Sequence, residues 1–148
     1  MYRSLVTLLV VLAFGTIPAA AQHGITLISE DEAKLPPPKS LPLDARGITR
    51  GPKIEVVAPR EQFTSPGPVN LTFQTHGGVM IDLGSLRVVY LRASDVDITE
   101  RVKPFVSASG IDLRSAIVPA GEHWLRFELK DTDGRTVSKI VTIKAVAQ

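Results

Sequence analysis

Pro119-Ala120-Gly121-Glu122-His123-Trp124-Leu125-Arg126-Phe127-Glu128-Leu129-Lys130-Asp131-Thr132-Asp133-Gly134-Arg135 reads as one strand and the turn that reverses it. Leu125, Phe127 and Leu129 alternate with Arg126, Glu128 and Lys130, a period of two that turns one set to a core and the other to water. Asp131 then offers a carboxylate able to bond forward to the backbone. Gly134 suits a left-handed conformation that a Cβ would penalise. Asp131, Asp133 and Gly134 are therefore expected to be the structural residues of a tight hairpin. A calcium loop is the rival reading, but an EF-hand needs Gly at its sixth position and Glu at its twelfth. Here Gly134 comes fourth and Thr142 twelfth, so no metal site is expected.

The same period extends outward. Ile54, Val56 and Ala58 alternate with Lys53, Glu55 and Val57. Val69, Leu71 and Phe73 do so between Pro66-Gly67-Pro68 and His76-Gly77-Gly78. Residues 86–91 form a dense apolar run, which suggests a strand covered on both faces. Residues 136–146 supply a last strand, with Val141 and Ile143 on one side and Ile140 and Thr142 on the other. Weaker extended segments fall at 96–99, 102–106 and 111–118. Short strands at this spacing, with no long helical pattern, predict an all-β, antiparallel, immunoglobulin-like sandwich of about seven strands.

The stretch 119–135 resembles the penultimate strand and hairpin of bacterial immunoglobulin-like (Big-type) domains, with Gly before an aromatic, alternating apolar residues, and Asp-x-x-Gly. Ile81-Asp82-Leu83-Gly84-Ser85-Leu86-Arg87-Val88 and Asp97-Ile98-Thr99 resemble their middle strands. The resemblance spans about residues 52–146 and implies a fold more than a function. A weaker similarity is to CopC-type periplasmic sandwiches, which carry Asp-Gly-His in the last hairpin. Here Arg135 follows Gly134, and a guanidinium stays protonated and ligates no metal.

Upstream of the sandwich the chain divides in two. Residues 1–21 read as a signal peptide, with Arg3, an apolar run over 5–14, a Gly15–Pro18 break and Ala19-Ala20-Ala21 before the cut. An uncleaved anchor would need about 20 apolar residues, and this run stops short. Residues 22–52 read as an irregular Pro-rich leader, and 53–148 as the sandwich domain. Ser29 and Glu32 have capping-box spacing, but only one turn fits before Pro36-Pro37-Pro38. Either this leader is a flexible linker, or Ile25, Leu27 and Ile28 pack back onto the domain or onto a partner.

Composition narrows the function classes. The 148 residues hold 17 Lys+Arg, 15 Asp+Glu and no Cys, a net charge of +2. Disulfide frameworks and thiolate chemistry are excluded, and no basic field marks a nucleic-acid surface. A Cys-free exported domain suggests a bacterial periplasm or the medium. His23, His76 and His123 lack metal spacing. His76 reads as a loop residue and His123 as a polar residue opening a strand. No nucleophile elbow or phosphate loop is present, so the expectation is a non-catalytic module without cofactor. It would bind another envelope or extracellular protein, or serve as a structural part of the envelope. A carbohydrate-binding module is the alternative, with few aromatics to support it, and a copper-binding domain is a weaker one. Trp124 and Arg126 are the candidate binding residues. Trp124 is out of phase with Leu125, so it either anchors an interface beside Arg126 or is covered by its own chain.

Overall fold

The computed structural model describes residues 24–41 and 51–146. The signal-peptide reading of 1–21, His23 and the leader positions 42–50 lie outside the described residues. Among those described, ten strands form two sheets: β1 Ile25–Thr26, β2 Lys53–Ala58, β3 Gln62–Thr64, β4 Gly67–Gln74, β5 Ile81–Tyr90, β6 Val96–Asp97, β7 Val106–Ser107, β8 Gly110–Ile117, β9 Gly121–Asp131 and β10 Thr136–Val146. One sheet runs β1-β8-β4-β2, with β7 also on β8. The other runs β3-β10-β9-β5-β6. The architecture is consistent with an immunoglobulin-like β-sandwich.

Alternation positions the core. Val69, Leu71 and Phe73 of β4 face Leu125, Phe127 and Leu129 of β9 and Val141, Ile143 and Ala145 of β10 across one apolar interior. The β9–β10 hairpin holds continuous register from Thr136↔Lys130 to Ala145↔Gly121. In β5, Val88 and Tyr90 belong to this core, while Val89 on the other face is also buried, as is Leu91 just beyond the strand, so this end of β5 is covered on both faces.

The leader departs most from a linker. β1 pairs in parallel with the end of β8, Ile25↔Ala116 and Thr26↔Ile117. Leu27 and Ile28 are fully buried in the core. The one-turn helix α1, Glu30–Ala33, carries the complete capping box: Glu32 N donates to Ser29 Oγ and Ser29 N to Glu32 Oε2. A helix so short does not persist alone. Here it is held by burial on its N-terminal side and by Arg101, whose guanidinium takes both oxygens of Glu32.

Residues 102–106 do not form the extended segment expected of them: α2 (Thr99–Val102) and a 3-10 turn (Lys103–Phe105) occupy the stretch, with strand pairing resuming only at Val106. Val102 is buried against the core while its neighbours Arg101 and Lys103 are not. The helical turn that buries one residue in four also aims Arg101 at the leader.

Candidate functional site

Trp124 and Arg126 share the outer face of β9. Trp124 is half-buried, opposite Thr142 of β10, and its carbonyl accepts the Leu91 amide at 2.8 Å. Arg126 lies between Ile140 and Val89, with Nε 2.9 Å from Glu128 Oε1 and Nη2 3.7 Å from Asp95 Oδ2. Two carboxylates thus answer its charge within the chain.

The hairpin consumes its aspartates internally. Asp131 Oδ1 accepts the amides of Asp133 at 3.0 Å and Arg135 at 2.8 Å, while Oδ2 lies 3.2 Å from Arg135 Nε. Asp133 forms its own ion pair with Arg135. Gly134 has φ +80°, the left-handed conformation that reverses the chain. Among the described residues no group of three or more His, Asp or Glu could hold a metal ion.

The structure brings together a surface that the strand pattern alone did not reveal. On the outer side of β8, β7 covers Gly110 and Ile111, and β1 covers Ala116 and Ile117. Between them 112–115 have no strand partner on that side among the described residues. A groove of about 640 Å³ opens there, lined by Ile25, Pro104, Phe105 and Val106 and by Asp112, Arg114 and Ser115. Phe105 is 38% exposed, a large aromatic left partly in water. Asp112 and Arg114 pair with each other at 3.3 Å, so the groove carries little net charge. Seeing this in the sequence would require knowing that two separate short segments share one edge.

A second feature corrects the reading of His123. It is in β9, but it is buried at 1% exposure and shares the inward phase of Leu125. Its Nε2 meets the Pro119 carbonyl at 2.8 Å and its Nδ1 meets Tyr90 Oη at 2.7 Å. A carbonyl only accepts, so Nε2 carries the proton and Nδ1 accepts from the tyrosine. Tyr90 Oη in turn accepts from Arg92 Nε. Burial pushes the imidazole below its ordinary pKa, and the Arg92 charge adds to that, while the Pro119 carbonyl opposes it. Burial likewise pushes the Tyr90 hydroxyl up. Both imidazole nitrogens are engaged, so His123 acts as a core link rather than a metal ligand. The signal was present, since His123 sits two residues before Leu125.

Comparison with protein-family models and with curated proteins gives no match. Among solved structures, one of murine CRIg is similar at 10% identity, with a TM-score of 0.41 over 66% of this chain and 98% of that chain.

Proposed function

We propose that the protein is an exported, non-catalytic immunoglobulin-like module of the bacterial envelope, which binds another envelope or extracellular protein through the open edge of β8. The observation that carries this is the four-residue gap at 112–115, flanked by β7 and β1. A free edge presents unpaired backbone donors and acceptors, and an extended peptide can complete the ladder. The chain already uses this edge in that way, because β1 arrives from outside the sandwich and adds in parallel to β8. The fitting partner is a short extended segment with an apolar side chain to rest on Phe105 and Val106 and few charges. Export rests on the pattern of residues 1–21.

The test is selection of peptides from a displayed library, followed by mapping of one selected peptide by amide chemical shifts. Shifts concentrated at 112–115, and binding lost in Phe105→Glu, support strand addition. Shifts centred on Trp124 and Arg126 would move the interface to the other sheet and overturn this reading.

A further inference from the structure

Tyr90, His123 and Arg92 form a buried group in which each proton has one place. His123 Nε2 donates to the Pro119 carbonyl at 2.8 Å, and Tyr90 Oη donates to His123 Nδ1 at 2.7 Å. Arg92 Nε donates to Tyr90 Oη at 2.5 Å, and Arg92 Nη2 lies 3.4 Å from His123 Nδ1. The arrangement requires a neutral imidazole. A second ring proton, on Nδ1, would face the tyrosine proton and stand beside the guanidinium. The hydroxyl has no other acceptor among the described residues.

No carboxylate stands ready to neutralise the two cations. Arg92 is 9% exposed and forms no ion pair among the described residues. From α1, the Glu32 charge acts on Tyr90, but both Glu32 oxygens are taken by Arg101 of α2. On β10 the partner of His123 is the apolar Ile143, while Glu122 and Lys144 pair with each other, out of phase with the ring. The connection Val118-Pro119-Ala120 has no titratable side chain. An imidazolium and a guanidinium held this close, out of water, repel strongly.

That repulsion has one weak exit. His123 is fixed in the continuous β9–β10 ladder, and the Leu91 amide is tied to the Trp124 carbonyl. Arg92 and Ala93 lie beyond β5 in a bend, and the Ala93 amide donates to the Pro36 carbonyl at 2.9 Å. Pro36 opens the trailing arm of the leader, where Pro38, Lys39 and Ser40 line a cleft of about 340 Å³ with Leu91 and Arg126. Upstream the leader is held separately, by Leu27 and Ile28 in the core and by Arg101 on Glu32.

We propose that Tyr90, His123 and Arg92 are an acid-sensitive latch: proton uptake by His123 drives Arg92 off Tyr90, opens the bend at 92–93 and frees the arm Pro36–Ser40, so that the cleft beside Leu91 and Arg126 opens while β1 and α1 stay in place. The latch is independent of docking at the β8 edge. Burial, with the Arg92 charge, lowers the His123 pKa from 6.5 against the Pro119 bond. The released state therefore takes the proton more readily than the latched one, and falling pH drives release. The Glu32 carboxyl, held at about 2, keeps the upstream clasp through the same range.

The test is an NMR titration of the whole protein from about pH 7.5 to about pH 4.5, following the His123 ring and the backbone order of Lys39, Ser40 and Ala93. Their order parameters should fall from about 0.85 to below about 0.6 on the His123 titration curve and recover when the acid is neutralised. Leu27 and Ala33 should stay rigid throughout. His123→Gln, which takes up no proton, should keep the arm ordered at every pH. Arg92→Gln, which removes the like charge, should raise the His123 midpoint by about half a unit or more. A His123 titration that leaves the arm rigid, or an imidazole that stays neutral to the end of the range, overturns the latch. So does an arm that loosens equally in His123→Gln, or a His123 midpoint unmoved in Arg92→Gln. Loss of order at Leu27 and Ala33 on the same curve as the arm would mean that the protein opens as one unit, which also overturns it.

Discussion

Arg101 and Glu32 stand 69 residues apart in sequence and meet in a two-pronged ion pair, Nη1 at 2.8 Å from Oε2 and Nη2 at 2.6 Å from Oε1. The same Nη1 also donates to the Leu27 carbonyl at 3.0 Å. One side chain thus clasps the start and the helical turn of the leader. Arg101→Met should destabilise the protein by about 1–3 kcal/mol, toward the low end because the arginine is one-third exposed. The loss should appear as a lower thermal midpoint together with faster amide exchange over residues 25–33. Slow exchange there in the variant would show that Leu27 and Ile28 hold the leader unaided.

The pair also makes stability depend on pH. The Arg101 hydrogen bonds hold the Glu32 carboxyl at about 2, against an ordinary 4.5. A lowered acid contributes stability that is complete above the ordinary value and is lost as pH falls from there through the folded-state value. His123 acts in the same direction higher up the scale. Its pKa is lowered from 6.5 by burial, so the unfolded chain takes up the proton first and stability declines as pH drops below 6.5. Denaturant midpoints at pH 7, 5 and 3 should therefore fall in two steps. Glu32→Gln should flatten the lower step and His123→Gln the upper, each with reduced stability at pH 7.

Removal of the leader should be severe. Leu27 and Ile28 are fully buried, and each such side chain contributes roughly 1.5–3 kcal/mol. Domains of this kind have only about 5–15 kcal/mol in all. A chain beginning at Gly51 should melt far below the longer protein, or fail to fold cooperatively by circular dichroism. It should also self-associate, since β8 would lose the strand that covers Ala116 and Ile117. A cooperative transition at an unchanged midpoint would show that the leader only rests on the core.

How much of this was legible follows from what period and spacing encode. Leu125, Phe127 and Leu129 announced a half-buried strand, and Asp131 to Gly134 announced its turn, because both signals are local. Ser29 and Glu32 announced a cap for the same reason. What holds that cap is Arg101, and the sequence around Arg101 says nothing about Glu32. Arg101 could be aimed only once Val102 had turned the weak segment into a helix, a tertiary preference overriding a β-leaning composition. The open edge at 112–115 is still less local, since it exists by virtue of where β1 and β7 stop. Arg92 ends an apolar run and looks like a solvated flank until Tyr90 and His123 are seen behind it.

Two glycines separate backbone strain from steric obstruction. Gly134 has φ +80° and open space where a Cβ would go. Gly134→Val should therefore cost only the conformational term, on the order of 1–3 kcal/mol. Gly110, with φ +151°, begins β8 where it passes β4, and a Cβ there would sit 2.0 Å from the Leu71 carbonyl oxygen. Backbone cannot yield as a flexible side chain does, so Gly110→Ala should force β8 away from β4 at Leu71↔Ile111 and Thr72↔Gly110. The expected loss is roughly 3 kcal/mol or more, although the added group is a single methyl. The displacement should also reach β7, which pairs with Gly110 and Ile111, and so distort the groove at 112–115. Thermal midpoints of the two variants should rank Gly110→Ala below Gly134→Val. The reverse order would mean that β8 can slide past Leu71 and that the edge is less fixed than its pairing implies.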